Sequence, residues 1–211
     1  RAFPLSRWSW LVPRLITDFR REHPRVKFVL LRTAVGESGR VSQHLATRSA
    51  DVELTTHRVH GPDIEWRRVL VEPLVLAVGL AHPLASRDEV SLSEVASEPF
   101  IMRRAPSGMR GQTLDLCHAA GFEPEVELEA DDLLTVRGLV AAGLGVAVVP
   151  AMGLPAPTTF ARSRLLPIVD AGAQREVGVA WVRGRPLLPS GEAFRHFVLA
   201  DGAMDGHAHH E

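Results

Sequence analysis

The chain has one cysteine (Cys117), one lysine (Lys27) and no tyrosine in 211 residues. A lone cysteine excludes an internal disulfide and any multi-cysteine metal site, and it fits a reducing compartment, so a cytoplasmic protein is expected. Long apolar runs are also missing. Each is cut by a proline or a charge within about 15 residues, too short to span a bilayer, so no membrane role is expected. The start, Arg1-Ala-Phe-Pro-Leu-Ser6, has no apolar signal-peptide region. The net charge of −1 lacks the basic excess of a domain that grips duplex DNA. Because arginine supplies nearly all of the 24 cationic residues, in a chain rich in Ala, Gly and Pro, the composition reads as codon bias and lowers the weight of any single arginine.

Catalytic signatures are absent too. There is no Gly-x-Ser-x-Gly elbow, Walker loop or His-Glu-x-x-His. Gly143-Leu-Gly145 begins a dinucleotide pattern but lacks the third glycine and follows a helix instead of preceding one, which suits a helix cap. Cys117 and His118 are neighbours on a helix and point in different directions, so they make no catalytic pair. Cys117 reads as a buried structural residue. No catalytic residue, cofactor or metal site is expected; His207, His209 and His210 belong to a polar tail.

What the chain does have is alternation of helix and strand. Leu139-Val-Ala-Ala-Gly-Leu-Gly-Val-Ala-Val-Val-Pro150 reads as a helix end, a glycine exit and a wholly apolar strand. An apolar strand must be covered on both faces, which predicts a parallel α/β sheet. Leu11, Leu15, Ile16 and Phe19 repeat at helical spacing, with Pro13 tolerated near the start. Strands are expected over Val26–Leu31, around Val52 and Leu54, Trp66–Leu80 (with Pro73 marking an edge or bend), Pro99–Met102, around Val126 and Leu128, Leu165–Val169 and Val177–Val182. Helices are expected after Gly39 (with Val41 and Leu45), over Ser107–Ala120 with Gly121 as cap, and after Ser190. Ser91-Leu-Ser-Glu94 matches a capping box. This order predicts two α/β lobes: residues 1–77 plus 177–200, and 78–176, with two hinge strands, a cleft between lobes and a disordered tail over 201–211.

Candidate binding groups lie near helix starts. Ser6, Ser107, and Asp132 or Thr135 each follow a strand and open a helix, where free N–H groups and the positive dipole end suit a carboxylate. Each could equally be only a cap. Arg103 and Arg104 could pair with an acidic ligand or be solvated loop residues. Trp8 and Trp10 could wall a site or pack in a core.

Phe19-x(4)-Pro24-x-Val26, Glu72-Pro-Leu-Val-Leu-Ala-Val78, His82-Pro-Leu-Ala85, Glu98-Pro-Phe-Ile101, Ala120-Gly-Phe122 and Leu139-Val-Ala-Ala-Gly-Leu-Gly-Val-Ala147 occur in this order. The ordered set, covering about residues 3 to 200, resembles the effector-binding domain of LysR-type transcriptional regulators. The resemblance implies a two-lobed, periplasmic-binding-protein-like fold that binds a small metabolite between lobes. It implies ligand contacts from Ser6 with Arg7 and Trp8, from Thr55 and Thr56, from Arg103, Arg104 and Ser107, and from Asp132, Leu133 and Thr135. The family usually has a small apolar residue where Glu53 stands; this extra acid adds an amine or amino acid to the small organic acids as effector classes. A homodimer or tetramer would pair Leu11–Arg21 with Gly108–Ala120 of a partner. DNA would be met only by a winged helix-turn-helix preceding Arg1 in a longer regulator. The alternatives are a free-standing solute-binding protein of a transport system, which requires a secretory signal upstream, and an enzyme of related fold, which requires a nucleophile or cofactor site.

Overall fold

The computed structural model describes residues 8–31, 43–61, 63–151 and 163–204. In chain order the elements are α1 (Trp8–Glu22), α2 (Gln43–Ala46), β1 (Glu53–Thr55), β2 (Ile64–Gly79), β3 (Phe100–Arg103), α3 (Gly108–Ala119), β4 (Val126–Ala130), α4 (Leu133–Ala141), β5 (Ala147–Pro150), β6 (Ser163–Pro167), β7 (Gln174–Val182) and α5 (Pro189–Met204). Two 3-10 turns, Pro83–Ser86 and Leu92–Val95, follow β2. The chain divides into two compact units: residues up to Val71 with those from Glu176 onward, and Glu72–Arg175. The first passage between them falls inside β2 and the return inside β7. Pro73 sits just past the first passage. It has no N–H to give, and its carbonyl accepts from Ala151 N at 2.9 Å. Among the described residues no helix is long and apolar enough to cross a membrane.

In the first unit, β1 pairs antiparallel with β7, Glu53 opposite Ala180 and Thr55 opposite Gly178. Leu11, Leu15 and Phe19 of α1 share one face at four-residue spacing and are buried with Val52, Leu54, Val177, Val179, Trp181 and α5's Phe194 and Val198. Burial contributes about 1.5–3 kcal/mol for each large side chain. Phe19 meets Phe194 edge-on at 5.2 Å between ring centres, and Phe28 meets Phe194 at 5.0 Å. The strand expected over Val26–Leu31 is corrected: residues 26–30 form no ladder, and Leu31 makes a single bridge. The apolar spacing there serves packing, since Val26 and Phe28 lie against the core while Val29 and Leu30 are exposed. Val41 lies outside the described residues, and Leu45 falls in the short α2. Ser190 is not the cap of α5, because the helix already begins at Pro189, whose fixed φ suits a first turn. The helix runs on to Met204, through residues assigned from sequence to the tail; 205–211 lie outside the described residues.

In the second unit, the later part of β2 is the centre of an antiparallel sheet, with Val75 opposite Val149 of β5 and Pro167 of β6. Alternation sends Leu74, Leu76 and Val78 to one face and Val75 and Ala77 to the other, and both faces are buried. Leu116 and Cys117 of α3 cover the first face; Leu133, Val136 and Val140 of α4 cover the second. All four residues of β5 are buried, as its apolar sequence requires, but the expected parallel pairing is corrected: β5 runs antiparallel to β2. Apolarity reports cover on both faces, and either strand direction satisfies it. Among the described residues, the only parallel contact of this run is at its entry, where Val146 bridges Phe100. At Ser91-Leu-Ser-Glu94 the Ser91 N–H donates to Glu94 Oε1 at 3.0 Å, the Glu94 half of a capping box, but it opens a 3-10 turn. The Ser91 hydroxyl donates to Asp170 Oδ1 at 3.1 Å.

Candidate functional site at the edge of β3 and β4

β3 and β4 pair in parallel, with Arg103 opposite Ala130. Each strand is followed within a few residues by a helix, α3 after β3 and α4 after β4. The parallel register therefore places two helix starts at one strand edge, each with a positive dipole end; that of α3 has no side-chain cap, whereas that of α4 is capped by Asp132. Arg104 N donates to Ala130 O at 2.9 Å and extends the ladder past the strand end.

The side chains at this edge are charged on both sides. Arg104 Nε lies 3.0 Å from Asp131 Oδ1, with both side chains more than three-fifths exposed. Such a surface pair is worth about 0–1 kcal/mol, so a ligand can exchange it at little cost. Arg110, in the first turn of α3, donates to Glu129 and to the Arg103 carbonyl. Ser107 stands at the N-cap of α3 in an extended conformation, and its hydroxyl makes no capping bond. The start of α4 is different. Asp132 Oδ1 accepts from Thr135 N at 2.9 Å, and the Thr135 hydroxyl donates to Oδ2 at 2.7 Å. The Thr135 hydroxyl, then its N–H, with the Leu134 N–H and the Arg103 charge adding to them, hold the Asp132 carboxyl below its ordinary pKa.

That shift fixes the sign of a pH effect. With its folded pKa lowered, Asp132 contributes stability above the unfolded value and loses it as pH falls through the folded one. Asp132→Ala is expected to lower stability by about 1 kcal/mol at neutral pH, the usual worth of a cap. The gap between variant and parent should close below the ordinary carboxylate range; thermal melts of both proteins across acid pH check this.

The sequence-derived site residues fall in three groups. Arg103, Arg104, Ser107, Asp132 and Thr135 come together at the β3–β4 edge. Leu133, between them in sequence, is turned inward and buried with Val75, Ala77 and Ile101. Thr55 and Thr56 belong to the first unit: the Thr55 hydroxyl donates to His57 O and accepts from Trp66 Nε1, each at 2.8 Å, and Thr56 follows partly exposed. Trp8 opens α1, and Ser6 and Arg7 lie outside the described residues. Glu53 is buried in β1. Sequence reasoning missed three charged residues. Arg110 and Glu129 pair beside the site, and Arg137 is buried on α4, where desolvation lowers its pKa. Discounting arginines in an arginine-rich chain hid Arg110 and Arg137, and Glu129 was passed over as one acid in the run before α4; the available signal was Arg137 recurring with Leu133, Val136 and Val140 on one helical face. Cys117 is fully buried, and burial pushes its thiol up to about 12, so it supplies no thiolate.

A family model described as the LysR substrate binding domain matches residues 2–203. The transcriptional dual regulator GltC of Bacillus subtilis (strain 168) is 32% identical over 204 residues, covering 94% of this chain and 65% of that protein. An uncharacterized HTH-type transcriptional regulator of the same strain, YybE, is 30% identical over 190 residues, covering 90% and 63%. The chain thus spans under two thirds of the length of these relatives. Among solved structures, the effector binding domain of QuiR in complex with shikimate aligns with a TM-score of 0.84 at 22% identity, covering 96% of this chain and 95% of that one. The fold is therefore the two-lobed, periplasmic-binding-protein-like α/β fold of effector-sensing domains. The chain belongs to the LysR substrate-binding domain family, a family of transcriptional regulators, and not to the solute-binding proteins of transport systems.

Proposed function

We propose that the chain binds a small organic acid or amino acid, with the β3–β4 edge holding its carboxylate, and that a longer regulator converts this binding into altered DNA binding and transcription. The observation that carries the reading is the parallel register of β3 and β4, which gathers two helix starts, Arg103 and Arg104 at one edge. Guanidinium forks and helix-start N–H groups are both suited to carboxylate oxygens. The QuiR domain holds shikimate, itself a carboxylic acid, which favours the same class. Asp132 and Glu53 support an effector with an added amine. Ser6, Arg7, Trp8, Thr55, Thr56, Ser107 and Thr135 complete the proposed ligand set, with Leu133, whose side chain is buried, contributing through its main chain alone. The ligand is bound and released unchanged in the cytoplasm, and it acts by differential affinity for two arrangements of the regulator. Self-association through α1 and α3, as a homodimer or tetramer, belongs to the same proposal, with DNA contacts left to a separate winged helix-turn-helix.

A thermal-shift panel of small carboxylic acids, amino acids and aromatic acids identifies the effector, because binding to the native state raises the melting temperature by mass action. Arg103→Ala or Arg104→Ala should then weaken the best acid by about 1.5–3 kcal/mol, the scale of a charged hydrogen bond. Calorimetry showing unchanged affinity in both variants rejects the carboxylate assignment.

A further inference from the structure

The first unit contains an open groove of about 550 Å3 that the proposed effector set does not use. Its volume falls within the range of small-molecule sites, roughly 300–1,000 Å3. The antiparallel register of β1 and β7 fixes its place. Thr55 lies opposite Gly178, so the groove residues Ala50, Asp51 and Val182 sit at the other end of this strand pair from Thr55 and Thr56. Arg48, Arg183 and Arg185 line it, against one acid, Asp51.

The single acid does not cancel the three cations. A Cβ placed on Gly191, in the first turn of α5, would lie 3.6 Å from Asp51 Cγ, so this carboxyl sits at the positive end of a 16-residue helix. Arg185 is held in place by one bond, Nη1 donating to Leu45 O at 2.6 Å. Arg183 faces Glu65 only at 3.6 Å, with its side chain 68% exposed, a pair readily exchanged. Arg48 pairs with no carboxylate among the described residues.

The backbone adds an independent observation. Arg48 has φ +63, the only non-glycine residue with positive φ among those described, and Gly184 between the other two arginines has φ +67. Arg48 follows the end of α2, where a left-handed position ordinarily takes glycine or asparagine. An arginine there works against steric preference, and strain of this kind gathers at functional positions. Two left-handed turns thus present arginines to one groove.

We infer that this groove is a second binding site, for a compact polyanion carrying phosphate or clustered carboxylate oxygens. Planar guanidinium forks match such oxygens in bidentate fashion, and three in one groove favour at least two negative charges on the ligand.

Inorganic pyrophosphate is the probe, titrated into the chain by calorimetry at fixed ionic strength. Saturable one-site binding is expected. Arg48→Gly should weaken it about tenfold or more, the loss of one charge-assisted contact, while the melting temperature stays level or rises because the strain is relieved. Arg183→Ser should weaken it similarly. Arg68→Ala, which removes a partner of Glu176 outside the groove, should leave it unchanged. Equal affinity in the unaltered chain, Arg48→Gly and Arg183→Ser means an adventitious ion only and overturns the inference. So does an equal loss in Arg68→Ala, or no saturable binding by the unaltered chain. The groove lies in the first unit and the carboxylate reading rests on Arg103 and Arg104 of the second, so either can fail with the other intact.

Discussion

Arg175→Met is expected to destabilise the protein by about 3–5 kcal/mol, the cost of breaking a buried ion pair by removing one partner. Arg175 and Glu72 are 4% and 3% exposed. Arg175 Nε donates to Glu72 Oε2 at 3.2 Å, and Nη1 reaches Met109 Sδ at 3.4 Å. Methionine fills much of the same space but takes the Arg175 charge away from a buried carboxylate. The double replacement Glu72→Leu with Arg175→Met should recover most of the loss, because exchanging both charges for apolar groups removes the desolvation cost along with the attraction. Denaturant unfolding of the two single variants and the double variant gives the coupling energy. An Arg175→Met protein within about 0.5 kcal/mol of the parent, the scatter of ordinary surface changes, sinks the idea. The pair occupies a particular place. Glu72 is the first residue of the second unit and Arg175 the last, so one ion pair fastens both strand passages together and ties them to the first turn of α3 through Met109.

Nothing local in the sequence reveals that pair, because its members are 103 residues apart and each looks like an ordinary charge among many. The same limit applies at the site. Ser107, Asp132 and Thr135 were legible as helix starts because capping uses a small polar residue at a fixed offset, and Asp132 with Thr135 shows that offset. That the two starts share an edge was not legible, because strand pairing is a non-local choice that leaves no mark on spacing. Apolar patterning was read correctly for what it encodes. The run over Ala147–Pro150 demanded cover on both faces and has it, from α3 on one side and α4 on the other. It did not encode strand direction, so the parallel expectation failed at β5 yet held for β3 and β4. At Val26–Leu31 the same patterning overreached, because side chains alternating against a core do not require a neighbour for the backbone. The ordered family motifs overcame these limits, since they carry non-local information that periodicity lacks.

Gly145→Ala is expected to cost about 3 kcal/mol or more, far beyond its neighbour Gly143→Ala, although both glycines have positive φ. The contrast separates backbone strain from close approach. Gly143, at φ +79, is the exit of α4: its N–H donates to Val140 O at 2.9 Å, and Leu144 N donates to Leu139 O at 3.2 Å, the paired bonds of a Schellman turn. A Cβ there meets nothing within 4 Å, so alanine pays only for the left-handed backbone, about 1 kcal/mol. Gly145 has φ +148, and a Cβ would lie 2.4 Å from Pro99 O and 3.2 Å from Ile101 Cγ1. That carbonyl cannot move freely, because it accepts from Val146 N at 2.9 Å while Ile101 N donates to Val146 O at 2.8 Å. These bonds join β3 to the entry of β5, so a side chain at Gly145 must pry the two-stranded β3–β4 sheet from β5 and the antiparallel sheet to which β5 belongs. The effect should reach function as well, since β3 carries Arg103 and leads to Arg104 and Ser107. Gly145→Ala is therefore expected to weaken acid binding in the fraction that stays folded, and Gly143→Ala to leave it near the parent value. Unfolding midpoints and effector titrations of the two variants together check this, and equal losses of stability at the two positions contradict it.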